Sequence, residues 1–279
     1  MQWMGRRESS NAEEGSGRGG GLAIGGGIVG IIGAIIYMFT GVNVSQIIPN
    51  TGGGQQQEQT NTRLTESKSK EQSFARVVLA DTEDTWNQLF REMGGTYKEP
   101  TIHFFEEGVN TEGCGVAGSA TGPFYCPADQ KVYLDLSFFQ ELEQRFGAAG
   151  DFARAYVIAH EVGHHVQKLL GVSDKMDQAR QQLSEEQYNK LSVKLELQAD
   201  FYAGVWAYYE KKRGLLETGD IEEALNAANA IGDDRLTQGR VSPDSFTHGT
   251  SAQRMYWFKK GFETGDVKQG NTFASADLE

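Results

Sequence analysis

Hydrophobic and polar positions divide this chain into unlike stretches. Residues 22–39 hold no charged side chain and are mostly Ile, Val, Gly, Leu and Ala, close to the shortest helix that crosses hydrocarbon. They predict one transmembrane helix over 22–40, whose glycines lipid tolerates because it offers the backbone no competing partner. Residues 51–71 contain a single apolar residue, Leu64, and no usable period. With so little to bury, 41–71 is expected to be a flexible linker.

From about residue 72 the pattern becomes that of a folded domain. Phe74, Val77, Val78, Trp86, Leu89 and Phe90 recur at helical spacing until Gly94 and Gly95 stop them. Residues 101–105 read as a strand, and 132–136 alternate as a half-buried strand does. Helices are expected over about 152–170, 185–213 and 252–262. The second begins at Ser184 with Gln187 three places on, a capping-box spacing, and stops before Gly214. A few strands followed by helices give an α+β domain over 72–279.

Composition restricts what that domain does. The chain has 279 residues, 26 basic against 38 acidic side chains and a net charge of −12, which gives no attraction for a polyphosphate and argues against nucleic acid as a partner. Residues 1–71 balance six basic with six acidic side chains, so the whole negative charge belongs to 72–279. A mean hydropathy of −0.48 argues against a multi-span membrane protein while concealing the one apolar stretch. Arg6, Arg7 and Arg18 precede that stretch and the next basic residue is Arg63. By the positive-inside rule, 1–21 is a cytoplasmic tail and the domain is extracytoplasmic, on a single-pass protein of the cell membrane in contact with the lipid bilayer. No small-residue cleavage site follows the apolar run, so a retained anchor is preferred to a signal peptide. The oligomeric state is left open.

The candidate chemistry lies in His160-Glu161-Val-Gly-His164. Four residues apart on a helix, the two imidazoles leave one face and can share a zinc ion, with Glu161 placed to face a water on the metal. The motif is embedded in Tyr156-Val-Ile-Ala159 and Val166, a core-facing context in which unpaired imidazoles would be costly. A catalytic zinc needs a third protein ligand and an open position. Gln167 and Leu170 stand where a metzincin would continue with Gly and His, which excludes that class. Glu196 and Asp200, also four apart on a predicted helix, supply the missing carboxylates. The economical arrangement has Glu196 on the metal and Asp200 accepting a hydrogen bond from a ligand imidazole; the reverse assignment stays open.

The segments HEVGHHVQ, LELQADFYAGVWA, GPFYCPADQKVYLDLSFF, THGTSAQR and MQWMGRRESSN together resemble the bacterial putative neutral zinc metallopeptidase family, over nearly the whole chain. The resemblance implies a single-pass membrane protein with a gluzincin-like peptidase domain, one zinc per chain held by His160, His164 and Glu196, and Glu161 as catalytic residue; the Glu-x-x-x-Asp element is similar to that of M48 peptidases. Two departures, Phe201 where the family often has Cys and the lack of a Cys near the C-terminal Asn-Thr-Phe, touch no expected ligand.

The expected activity is hydrolysis of a protein or peptide by a zinc-activated water with Glu161 as general base. His248, in Thr247-His-Gly-Thr-Ser-Ala-Gln-Arg254, is the candidate donor to the oxyanion, with Arg254 positioning neighbouring groups. The strand at 132–136 is expected to pair with an extended substrate. His165 and His103 are assigned structural roles. Cys114 and Cys126 flank a Gly-rich segment and form a disulfide candidate. The competing function is a catalytically silent zinc-binding scaffold or assembly factor at the membrane, which would have no need of Glu161.

Overall fold

A computed structural model describes residues 1–15 and 56–274 of the chain. Helix α1 (Gln56–Glu92) buries Phe74, Val77, Val78, Leu79, Trp86, Leu89 and Phe90 along one side, and ends where Gly94 takes a positive φ of 80° that other residues resist. Strands β1 (Ala12–Glu14), β2 (Thr101–Phe105), β3 (Gly108–Asn110), β4 (Val116–Gly118), β5 (Phe124–Cys126) and β6 (Lys131–Asp135) form two sheets. One has the order β1-β2-β6-β5, with β1, β2 and β6 parallel and β5 antiparallel to β6; β3 and β4 form a separate hairpin. Helices α2 (Ser137–Gln144), α3 (Asp151–Leu169), α4 (Val172–Arg180), α5 (Glu185–Lys212), α6 (Asp220–Ala230), the short α7 (Asp233–Leu236) and α8 (Ser251–Thr264) follow. The domain is mixed α and β, and mostly helical.

Helix α3 lies at the centre, packed against α1, α5, α6 and the strands β5 and β6. Phe152, Ala155, Tyr156, Ala159, Val162 and Val166 carry it into the main core. Helix α5 in turn packs along α8 so closely that a Cβ on Gly204 would stand 2.0 Å from the Phe258 carbonyl oxygen, and one on Gly261 2.1 Å from that of Phe201. The stretch 132–136 corresponds to β6, which has β2 on one side and β5 on the other. Its backbone groups are therefore taken, and the expected pairing of a substrate with this strand is corrected: among the described residues the sheet edge next to α3 is β5.

The N-terminal segment overturns the expected topology. β1 pairs with β2, and the Gln2 amide donates to the Leu215 carbonyl. Trp3 meets Phe74 edge-on at 5.4 Å between ring centroids. Arg6 holds both carboxylate oxygens of Asp81 at 2.6 and 2.7 Å, and Arg7 reaches Glu83 at 3.0 Å and Asp84 at 2.7 Å. A chain crossing a bilayer once between residues 15 and 56 would leave these partners on opposite faces, yet they pack as one body. No helix among the described residues is long and apolar enough to cross a membrane, and the predicted span 22–40 lies outside the described residues. The single-pass membrane anchor, the cytoplasmic tail and the extracytoplasmic placement of the domain are corrected accordingly. Arg6 and Arg7, read as charges orienting a membrane helix, serve intramolecular ion pairs.

Residues 41–55 lie outside the described residues, and the flexible linker expected over 41–71 is corrected for 56–71, which belong to helix α1. Its first turns extend from a buried, already nucleated helix, and each added residue costs little once a nucleus exists. Lys68 anchors this extension to Glu106 at 2.6 Å.

Candidate metal centre

Helices α3 and α5 cross at Gly163, the glycine inside the His-Glu-Val-Gly-His motif. A Cβ there would stand 2.9 Å from the Ala199 carbonyl oxygen and 3.1 Å from its Cα, so only glycine permits this approach. The crossing brings the imidazoles of α3 against the carboxylates of α5. His160 Nε2 lies 3.2 Å from one Glu196 oxygen and His164 Nε2 lies 3.4 Å from the other. One ligand atom from each of His160, His164 and Glu196 falls within 4.8 Å of the others, around a buried point. Two imidazoles and one carboxylate form the donor set of a catalytic zinc with a further position open to water or substrate; the residues present fit the ion.

The charges are arranged for such an ion. Burial works against a charged Glu196, but His164, His160 and, farther off, His248 outweigh it and hold its carboxyl well below the usual range. Burial likewise opposes a proton on His160, yet the Asp200 charge and hydrogen bond, with that of Glu196, lift it to about 10. Three donor groups crowd into one buried space, and metal binding displaces protons from such groups.

Asp200 is fully occupied elsewhere. Its Oδ1 accepts from His160 Nδ1 at 2.8 Å, from the Tyr156 hydroxyl at 2.5 Å and from Arg254 Nη2 at 3.0 Å, while Oδ2 accepts from Arg254 Nε at 2.8 Å. Despite its burial, Arg254 and His160 pull its pKa down to about 2. These bonds turn His160 Nε2 toward Glu196, so Asp200 stands behind the imidazole and Glu196 in front of it. Arg254, from α8, also donates to the Ile231 carbonyl at 3.2 Å and lies wholly buried.

His164 Nδ1 meets the Gln167 side-chain oxygen at 2.8 Å. His165 points away from the centre, with Nε2 donating to the Lys98 carbonyl at 2.6 Å and Nδ1 accepting from the Tyr125 hydroxyl at 2.9 Å. Its burial lowers its pKa to about 4, against the pull of that carbonyl, so it is a neutral structural imidazole. His103 pairs with Glu13 on β1 at 2.8 Å. Cys114 and Cys126 are joined by a disulfide that ties the β3–β4 turn to β5.

Glu161 is 4% exposed, and burial raises its pKa although His160 and His164 oppose the rise. His248 is also buried. Its Nδ1 lies 3.0 Å from Asp233 Oδ1, while Asp233 Oδ2 collects the backbone N–H groups of Thr247, His248 and Gly249 at 2.7–3.1 Å. The two oxygens of one carboxylate thus fix both the loop and the ring, leaving Nε2 of His248 to face away from Asp233. Sequence reading missed Tyr156, Gly163, Gln167 and Asp233. Only Gly163 carried a signal, a glycine inside a helix that otherwise has no reason to weaken itself; the others acquire roles only through partners 3 to 98 residues away.

A mixed α and β domain thus sets an inward-facing His-Glu-x-x-His helix against a carboxylate on the crossing helix, a group that could hold a metal ion. The chain belongs to the family described as "putative neutral zinc metallopeptidase", whose sequence model matches residues 1–273. It is 48% identical to the uncharacterized protein YpfJ of Escherichia coli K12 over 289 aligned positions, covering 99% of this chain and all of that protein. It is 43% identical to the uncharacterized protein Rv2575 of Mycobacterium tuberculosis H37Rv, across 74% of this chain and 73% of the relative. No solved structure matches it.

Proposed function

We propose that the protein is a zinc-dependent endopeptidase. The observation that carries this reading is the convergence of His160 Nε2, His164 Nε2 and the Glu196 carboxylate on one buried point, with the buried carboxylate of Glu161 on the same helix. A zinc ion held by these three residues supplies Lewis acidity toward a water and toward the carbonyl of a peptide bond. Glu161 accepts the proton of the attacking water on its carboxylate and returns it to the leaving amine nitrogen. Asp233 holds Nδ1 of His248 and aims Nε2, from which the imidazolium form of the ring would donate to the carbonyl oxygen as negative charge develops there. Asp200, clamped by Arg254 and Tyr156, fixes the orientation of His160. An extended peptide would pair its backbone with the sheet edge at β5 beside α3.

The test uses the full chain. The purified protein should carry about one zinc per chain and cleave an unfolded protein substrate, and Glu161→Gln should keep the zinc and lose the cleavage. Cleavage that survives Glu161→Gln would overturn the mechanism. Zinc uptake without cleavage of any substrate by the wild type would favour a metal-binding scaffold instead.

A further inference from the structure

The two ligand imidazoles are held by opposite kinds of partner. His160 leans on a carboxylate whose charge is offset by Arg254, whereas His164 leans on the neutral amide of Gln167. An amide has two ends, one donating and one accepting, and either could face the imidazole if nothing else held it. Here something does. The Gln167 side-chain nitrogen donates to the Leu195 backbone carbonyl at 2.7 Å and to the Gln198 side-chain oxygen at 3.2 Å. The Gln198 nitrogen donates to the Gly270 backbone carbonyl at 2.8 Å. A backbone carbonyl can only accept. The two carbonyls therefore fix the direction of both amides, and Gln167 is obliged to present its oxygen to His164. That oxygen can only accept, so the proton of a neutral His164 resides on Nδ1 and the lone pair on Nε2, the atom beside Glu196.

We propose that Gln167 and Gln198 form a one-way amide relay that sets the tautomer of His164 and so prepares Nε2 as a metal ligand. The relay is enclosed: Gln167 is 0% and Gln198 6% exposed, so water does not compete for either amide. Its far end is the C-terminal segment after α8. There Thr272, wholly buried, donates to the Lys194 carbonyl at 2.6 Å, and Gly270 lies so close to Phe201 that a Cβ would meet the ring at 2.4 Å. The segment is thereby pinned on α5, and Gly270 offers its carbonyl from a fixed position. Both glutamines are positioning residues and neither touches the metal position. A carboxylate would not serve in place of Gln167, because it would set acceptor against acceptor at Leu195 and Gln198. At Asp200 a carboxylate works because Arg254 and Tyr156 supply donors.

This inference rests on the zinc-site reading, and the experiment separates the two. Zinc dissociation constants of the full-length protein are measured by competition with a chromophoric chelator. The variants are Gln167→Met and Gln198→Met, which preserve side-chain length and remove the amides. Thermal unfolding of the metal-free forms shows that each folds, and proton exchange at His164 Nδ1 is followed by NMR in the zinc-loaded forms. Gln167→Met should weaken zinc binding about 10- to 100-fold, the usual effect of losing an imidazole's outer partner, and should speed exchange of the Nδ1 proton. Gln198→Met should shift both in the same direction by less. Zinc affinity and proton exchange within about twofold of wild type in Gln167→Met would overturn the relay. If that variant does not fold, unchanged values in Gln198→Met overturn it equally. A wild-type chain that takes up no zinc would overturn the metal site itself and the relay with it.

Discussion

Arg254 and Asp200 meet as a pair with both side chains wholly buried, Nε to Oδ2 at 2.8 Å and Nη2 to Oδ1 at 3.0 Å. Two charges in such surroundings are tolerable only together, since each meets the other's cost of leaving water. Because Asp200 also bonds His160, the pair couples α8 to α3. Replacing Arg254 by Met leaves a buried carboxylate with its main counter-charge gone, and metal-free protein should lose about 3–5 kcal/mol of stability in urea unfolding at neutral pH. A loss of only a few tenths would show that the pair does not hold the helices together.

The closeness of α3 and α5 rests on one missing methyl. Gly163→Ala places a Cβ against the backbone of Ala199, which cannot rotate away as a side chain would. The helices must separate, at a cost of about 1–3 kcal/mol, and the distance from Glu196 to the two imidazoles must grow. Calorimetry should show the lower melting temperature and metal analysis a lower zinc content, with helix content by circular dichroism nearly unchanged.

Glu210 on α5 predicts a pH dependence away from the centre. Its side chain is wholly buried, one oxygen accepts from Arg213, and the other has no hydrogen-bond partner among the described residues. Burial and the nearby Asp81 raise its pKa to about 8, against the pull of Arg213 and Arg6. An acid with a raised folded pKa binds its proton more tightly folded than unfolded. Its favourable contribution is complete below about pH 4 and is lost as the pH climbs to about 8. Glu210→Gln, neutral at every pH, should flatten the stability profile across that window and unfold at a higher denaturant concentration than wild type at pH 8. A wild-type profile without that decline would refute the assignment.

If hydrolysis is confirmed, the Asp233–His248 pair should act on turnover more than on substrate binding. His248→Ala removes the donor and should lower kcat about 10²- to 10³-fold. Asp233→Asn keeps an oxygen for the ring or for the loop N–H groups but not for both, and should cost less. Zinc content should be unchanged in both, and a kcat near wild type in His248→Ala would remove it from the reaction.

Much of this could be read along the chain, for reasons specific to each element. Strand β2 spans the five residues its pattern indicates, and α3, α5 and α8 fall within two residues of their expected ends, because apolar period and the Ser184–Gln187 cap act locally. Strands β1, β3, β4 and β5, each of three residues, are too short for any period to show. The apolar run at 22–39 invited a topology that the packing of Trp3 on Phe74 and Arg6 on Asp81 contradicts, since hydropathy is blind to where the flanking segments dock.

What the sequence by itself determined are the relations that one helix can express: His160 one turn from His164, and Glu196 one turn from Asp200, each pair on a single face because 3.6 residues complete a turn. It left open which carboxylate meets the metal and which stands behind an imidazole, because both occupy the same face. Tertiary structure sets the two carboxylates apart. Arg254 and Tyr156, arriving from another helix and from one turn before His160, use up the oxygens of Asp200, and Glu196 is the carboxylate whose oxygens remain turned toward both imidazoles.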